Sequence, residues 1–317
     1  LFLYFNNGKK ELEEATLKKQ ASQTMNIALL SRGVQLYSTQ SILEAAKGRG
    51  HKVKIIDHLR CNLVLINKRP GIIYEGEMLH EIDAIIPRIG ASITHEGASV
   101  IRQFEAMGIC TLTRSNALLK TRNKLRSFQN LIARNIPVPD TILPGHDVDL
   151  QPFVERLNGF PIVVKQLEST HGVGVLLADN MYTLRAITEM FRKMNVSYVL
   201  QEFIKEAEGA DIRVLVVGKN VVASMKRQAP EGEFRSNLHR GAKAEPIALS
   251  SNEELLVKKA AVAMDLEVAG VDLLRSKRGP LVMEVNASPG LEGIETTTGI
   301  DVAFEMIKHL ERLKRKG

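Results

Sequence analysis

The segment VAGVDLLRSKRGPLVMEVN, Val268 to Asn286, is the strongest constraint on the fold: two apolar runs flank a polar RSKRG and pair as an antiparallel hairpin with its turn near Arg278. Side chains two apart on a strand share a face, so Glu284 and Asn286 project together. The turn sets Asp272 across from Glu284. Both runs are too apolar for a solvated edge ribbon, so two carboxylates and a carboxamide meet inside a largely buried layer. An unpaired charge there is costly. Oxygen ligands without thiolate or imidazole suit Mg²⁺, a hard cation that keeps part of its water shell and bridges to substrate phosphates. Asp272, Glu284 and Asn286 are therefore the expected metal ligands.

A phosphate beside that metal calls for cations and open backbone N–H groups. Lys165 closes the apolar strand PIVVK, and the loop after it carries Gly172 and Gly174, which let the backbone approach an anion closely. The loop joins two strands instead of opening a helix, which excludes a P-loop and a dinucleotide turn. Downstream, VLQEFIKEAEGADIR gives an apolar strand ending at Glu202 and Phe203, then Asp211 and Arg213 on one face of the next strand. Acids after such a strand suit ribose hydroxyls, and Arg213 suits charge on a transferring phosphoryl group. A surface ion pair at Asp211 is the structural alternative.

The rest of the chain supports a mixed α/β architecture. From Met25, strands at NIALL, KVKIID, DAIIPRIG and GICTL alternate with helices over Ser38 to Lys47 and Glu96 to Met107, which argues a small layer with a mostly parallel sheet. A basic helix is expected from Leu118 to Arg134, and the two prolines of IPVPDTIL mark an extended passage. Then come a helix over Tyr182 to Lys193, a hairpin at Gly218-Lys219-Asn220, an irregular polar stretch from Pro230 to Lys243 and a helix from Glu253 to Met264. The expected division is an extension over 1–24, a small α/β domain over 25–115 and a two-lobed domain over 116–317.

The net charge of +7 invites a nucleic-acid reading, but residues 1–24 carry +1 and residues 308–317 carry +4, leaving +2 for the body. With no tryptophan and five tyrosines, stacking platforms are scarce, and no direct nucleic-acid partner is expected. Cys61 and Cys110 have neither a CxxC partner nor a histidine cluster, which fits a reducing cytoplasm. No apolar run reaches the roughly 18–20 residues of a membrane span. The segment Leu1 to Thr24 lacks the order of a signal peptide.

Taken together, NKLRS around Lys124, PIVVK, HGVGV, QEFIKEA, DIRVLVVG, FRSNLHRGA and VMEVNASPGLEGIE resemble the RimK family of the ATP-grasp superfamily across nearly all of Met25 to Leu313. The resemblance implies an α+β ATP-grasp fold with a pre-ATP-grasp domain before it. It implies that Lys124 and Lys165 contact ATP phosphates, that Glu202 and Phe203 frame adenine through backbone atoms, and that Asp211 holds ribose. Arg235, Ser236 and Asn237 then lie by the nucleotide, and Asp272, Glu284 and Asn286 bind Mg²⁺ or Mn²⁺, two ions being expected. The implied reaction phosphorylates an acceptor carboxylate with ATP, and an amino-acid amine displaces the phosphate. For this family the amino acid is L-glutamate and the acceptor the carboxyl terminus of a small-subunit ribosomal protein. Sister enzymes that add amino acids to cofactors or carrier proteins remain an alternative, as does a nucleotide-binding regulator without turnover. A homo-oligomer, with a tetramer in view, is also implied. The basic segment FRSNLHRGAK, with Arg235, His239, Arg240 and Lys243, is the expected seat of an acidic protein tail.

Overall fold

The computed structural model describes residues 24–146, 148–168 and 174–316. The expected extension over 1–24 therefore lies outside the described residues except for its last one. Strands β1 (Asn26–Leu30), β2 (Lys52–Ile56), β3 (Cys61–Ile66), β4 (Arg69–Tyr74), β5 (Glu77–Met78), β6 (Ala84–Pro87) and β7 (Cys110–Thr111) build the first part. Four of them form a parallel sheet in the order β2-β1-β6-β7, the layer expected from the strand and helix alternation. The antiparallel ribbon β3-β4-β5 was not anticipated. Its strands CNLVLI and RPGIIY flank the turn residues Asn67 and Lys68, both at positive φ, a left-handed pair that closes a tight hairpin without glycine.

Helices Tyr37–Gly48 and Thr94–Ala106 pack against the parallel sheet. The basic helix expected from Leu118 to Arg134 is instead two, Ser115–Arg122 and Lys124–Ile132. Asn123 takes an extended conformation and its side chain accepts from Arg126 N at 3.0 Å, so it ends one helix and caps the next. The break places Arg122 and Lys124 in the lining of the cleft described below.

Strands β8 (Thr141–Ile142), β9 (Ile162–Gln166), β10 (Val175–Ala178) and β11 (Tyr198–Glu202) form a second sheet, order β10-β9-β11-β8. Together with helices Gln151–Arg156 and Met181–Lys193 it encloses a small core of its own around Ile162, Val164, Leu184 and Leu200. Strands β12 (Ala210–Val217), β13 (Asn220–Gln228), β14 (Lys243–Pro246), β15 (Val268–Ser276) and β16 (Gly279–Asn286) make a five-stranded antiparallel sheet ordered β14-β13-β12-β15-β16. Its core is continuous with that of the parallel sheet, because Val214, Val271 and Val285 cluster with Ala28, Ile85 and Phe104.

The C-terminal helix Val302–Lys316 returns to the first part. Glu311 accepts from Arg49 Nε at 2.6 Å and Nη2 at 2.8 Å, and His51 Nε2 lies 3.0 Å from the same carboxylate. Met25 N donates to His51 Nδ1, which leaves the proton on Nε2 for Glu311. No helix among the described residues is long and apolar enough to cross a membrane.

Candidate active site

The two antiparallel sheets face each other across a cleft of about 260 Å³. Lys165, Val163, Gln201 and Glu202 come from the smaller sheet, and Asp211, Arg213, Asp272, Glu284 and Asn286 from the larger. Lys124, Phe203, Arg235, Ser236 and Asn237 also line it. Every described residue expected from the sequence to meet nucleotide or metal lines this cleft or, in the case of Gly174, adjoins it through Val175. Gly172 lies outside the described residues, as does the Arg240 side chain.

The hairpin pairing is as expected, by a different route. The turn is Lys277-Arg278, since Ser276 pairs with Gly279, and a β-bulge between Asp272 and Leu273 inserts one residue so that Asp272 meets Glu284. Without the bulge Asp272 would face Met283 and the carboxylates would part. Asn286 pairs with Gly270, and a Cβ at Gly270 would stand 2.7 Å from Pro289 Cβ. Glycine there lets the Ser-Pro-Gly segment fold over the strand. At Gly174, φ is +67° and a Cβ would meet Gln166 Oε1 at 2.7 Å, so this end of the loop is closed to any side chain.

Charges alternate along one row of the larger sheet. Arg227 on β13 donates to Asp211 from Nε at 2.7 Å and from Nη2 at 2.6 Å, and Arg213 donates to Asp272 at 2.8 and 2.6 Å. Arg227 also reaches Asp272 Oδ2 at 3.2 Å. Asp211 is 3% exposed, so it is no surface ion pair but one end of a buried ionic row. Burial pushes its pKa up more than Arg227 brings it down. Burial also opposes ionisation of Asp272, yet Arg213 and Arg227 together outweigh it and hold that carboxyl below its ordinary value. Arg227 rises in turn, because Asp272 and Asp211 outweigh its desolvation.

Arg227 was not expected from the sequence. Counting back from the turn at Gly218 puts Lys226 opposite Asp211, and only a bulge between Leu215 and Val216 moves Arg227 into that place. Phe234, which meets Phe203 edge to face at 6.4 Å between ring centres, was also missed, as were Arg122 and Gln201. An isolated aromatic in an irregular stretch gives no periodic signal.

Glu202 turns its carboxylate away from the cleft centre, accepting from Asp140 N at 2.8 Å and from Arg278. Its backbone, beside Phe203, is what remains for a ligand. Arg235 is held bidentately by Glu233 at 3.0 and 2.7 Å, so it is not an open cation for an acidic tail. Lys165 is 8% exposed, and burial pulls its ammonium down to about 8 despite Glu284. Lys124 is lowered for the same reason. Two desolvated lysines facing a carboxylate set favour an incoming polyanion that restores their charge.

Among the described residues no group of three or more His, Cys, Asp or Glu can hold a metal, so a cation here needs Asn286 as third donor. The chemistry fits. Glu284 has no hydrogen bond or ion pair among the described residues, and Asp272 Oδ1 accepts a single N–H, leaving a lone pair free. These oxygens suit a hard divalent ion.

Residues 25–118 match the RimK pre-ATP-grasp domain and residues 121–310 the RimK-like ATP-grasp domain. The chain belongs to the RimK family of ATP-grasp ligases. This RimK-family member is accordingly an ATP-dependent ligase that uses a divalent cation. A protein of Nitrosococcus oceani named "probable alpha-L-glutamate ligase" is 49% identical over 293 residues, covering 92% of this chain and 97% of its own. One of the same name from Methanococcoides burtonii is 50% identical over 293 residues, with the same coverage. Among solved structures, the ATP-grasp ligase PsnB with a minimal precursor superposes with a TM-score of 0.72 at 18% identity, covering 92% of this chain and 99% of its own. The D-alanine–D-alanine ligase of Bacillus anthracis gives 0.66 at 17%, covering 92% and 98%. These two share the fold.

Proposed function

We propose that this ligase joins the amine of L-glutamate to a carboxylate on the acidic C-terminal tail of a small-subunit ribosomal protein, through an acyl phosphate. The observation that carries the reading is the cleft itself, which sets two desolvated lysines against the row Asp272, Glu284 and Asn286 with an aromatic pair at one end. The names borne by relatives near 50% identity supply the amino acid.

In this reading Phe203 and the backbone of Glu202 receive adenine, with Phe234 closing the edge. Asp211, Arg235, Ser236 and Asn237 border the ribose and phosphates. Asp211 spends its charge on Arg227, so its contribution to ribose is a remaining lone pair. Lys124 and Lys165 hold phosphate oxygens. Two divalent cations, Mg²⁺ or Mn²⁺, would be held by Asp272, Glu284 and Asn286 and would supply charge neutralisation at those oxygens. Arg213, with Nη2 and Nε committed to Asp272, keeps Nη1 to meet charge on the transferring phosphoryl group. Phosphoryl transfer needs positioning and charge stabilisation, with no protein nucleophile. The smaller sheet, with its own core, can close over the cleft and keep water from the acyl phosphate. Exposed Leu65 and Ile66 on the β3-β4 ribbon suit an oligomer contact, for which a tetramer is the expected form. The unpaired cysteines suit a cytoplasmic setting.

ADP release should require both L-glutamate and an acidic-tailed acceptor, and the intact mass of the acceptor should climb in glutamyl steps. ADP release with a small cofactor in place of the tail, and no mass change on the protein, would replace this acceptor.

A further inference from the structure

Buried side-chain polar atoms without a partner fall on four described residues. Three of these, Arg122, Asn286 and Ser288, line the cleft. Their orphan atoms are Arg122 Nε, Asn286 Nδ2 and Ser288 Oγ, and each can donate a hydrogen bond. Buried donors left empty are costly, so three of them lining one cleft point to an absent acceptor.

Arg88 adds a second guanidinium. Its Nη2 donates to Pro289 O at 2.7 Å, and Arg122 Nη2 donates to Ile89 O, the backbone of the residue after Arg88. Both groups are thus fixed by backbone carbonyls, and neither forms an ion pair with a carboxylate among the described residues. Glu295, the acid nearest in effect to Arg88, is already engaged by Ser41 Oγ and Ala303 N. Glu284 is the one acid acting on Arg122, and it belongs to the candidate cation site. Burial and the neighbouring Arg122 bring Arg88 down to about 10. Two neighbouring guanidinia with no ion-pair partner among the described residues favour an anion.

The anion is a carboxylate on chemical grounds. ATP phosphates are already provided for by Lys124, Lys165 and the cation site, whereas Arg122 lines the cleft with Gly90, Pro289 and Gly290, and Arg88 stands behind that lining, bonded to Pro289 O. A planar guanidinium matches a carboxylate through paired N–H groups. An amino acid that gives up its amine keeps its α-carboxylate throughout, so the site must hold an unreacted carboxylate close to the acyl phosphate. We propose that Arg88, Arg122 and Ser288 form the subsite that grips an unreacted carboxylate of the amine-donating amino acid. This rests on the ligase reading above and specifies which part of the cleft reads the amino acid.

The test measures ADP release by the full chain at saturating Mg²⁺-ATP with an acidic-tailed peptide acceptor. L-glutamate is compared with its α-amide and with L-glutamine. Arg122→Gln should raise the KM for glutamate by about 10- to 100-fold, the loss expected for a charge-assisted hydrogen bond. KM for ATP and for the peptide should stay within about twofold, and the preference for acid over amide should collapse. Arg88→Lys, which keeps the charge and loses the fork, should lose part of that preference. Ser288→Ala should raise the glutamate KM by about 3- to 10-fold, as for a neutral hydrogen bond, and it decides the matter if the arginine variants fail to fold. Folded variants with unchanged glutamate KM, or a rise confined to ATP or to the peptide, would overturn the subsite. If wild type uses another amino acid, the glutamate reading fails alone, and the same variants are judged with that amino acid and its amide. Absence of turnover with every amino acid overturns both.

Discussion

Replacing Arg227 by Met should be among the most damaging single changes in the larger sheet. Arg227 is 3% exposed and supplies two short hydrogen bonds to Asp211 and a third contact, at 3.2 Å, to Asp272. Methionine fills similar space, so the loss is electrostatic: Asp211 is left buried with no cation, while Asp272 keeps Arg213. Breaking a buried pair from one side costs about 3–5 kcal/mol. With an unfolding entropy of roughly 0.6 kcal/mol/K for a chain of about 300 residues, the thermal midpoint should fall by about 5–8 °C. The sign of the pH dependence follows from Asp211, whose folded pKa already lies above its ordinary value and rises further without Arg227. A raised carboxyl pKa means that the folded form binds its proton more readily, so the penalty is largest above that raised value and shrinks as pH falls through it. Scanning calorimetry at pH 7.5 and pH 5 should therefore show the gap to wild type narrowing. Arg227→Met combined with Asp211→Asn should recover much of the loss, because no uncompensated charge remains. A single variant within about 2 °C of wild type at pH 7.5, or a double variant no more stable than the single, would refute the ionic row as a determinant of stability.

Glu284→Gln should fold normally, since Glu284 has no hydrogen-bond or ion-pair partner among the described residues, and should lose turnover by roughly 10²–10³-fold with weaker Mg²⁺ dependence; a folded variant with near wild-type rate in limiting Mg²⁺ would remove Glu284 from the cation site. Lys165 titrates near 8 in the free protein, and bound phosphate should raise it, so at pH 8.5 ATP binding should take up close to about 0.8 proton from this group and weaken as pH rises further. Calorimetry in two buffers of different ionisation heat measures that uptake, and Lys165→Met should abolish it. Burial opposes ionisation of Glu311, but Arg49 and His51 hold its pKa below the ordinary value, so its stabilising effect is present above about pH 4.5 and is lost as pH falls through the lowered folded value. Glu311→Gln should lower the thermal midpoint by several degrees at pH 7, and the gap to wild type should shrink as pH is taken below about 4.5.

Apolar patterning made many of the elements, and many of the residues that line the cleft, legible in the sequence. Alternation of apolar runs is local information, and it placed the parallel sheet, both late hairpins and the strand that carries Lys165. Residues two apart on a strand must share a face, which is why Glu284 with Asn286, and Asp211 with Arg213, were legible before any fold. Which residues face each other across strands was decided by the tertiary structure. The bulges at Leu215/Val216 and Asp272/Leu273 shift register by one residue, bringing Arg227 to Asp211 and keeping Asp272 opposite Glu284. A bulge is fixed by how the twisted sheet packs on its neighbours, and no residue type announces it. The helix break at Asn123 is of the same kind, since asparagine is tolerated in a helix until tertiary packing favours its use as a cap. Arg88 and Arg122 are the clearest case. Each is an ordinary basic residue in the sequence, and only folding strips both of water and brings them near each other with no ion-pair partner among the described residues. Burial and juxtaposition are properties of distant segments meeting, so the chemistry that depends on them becomes visible only when the sheets close on one another.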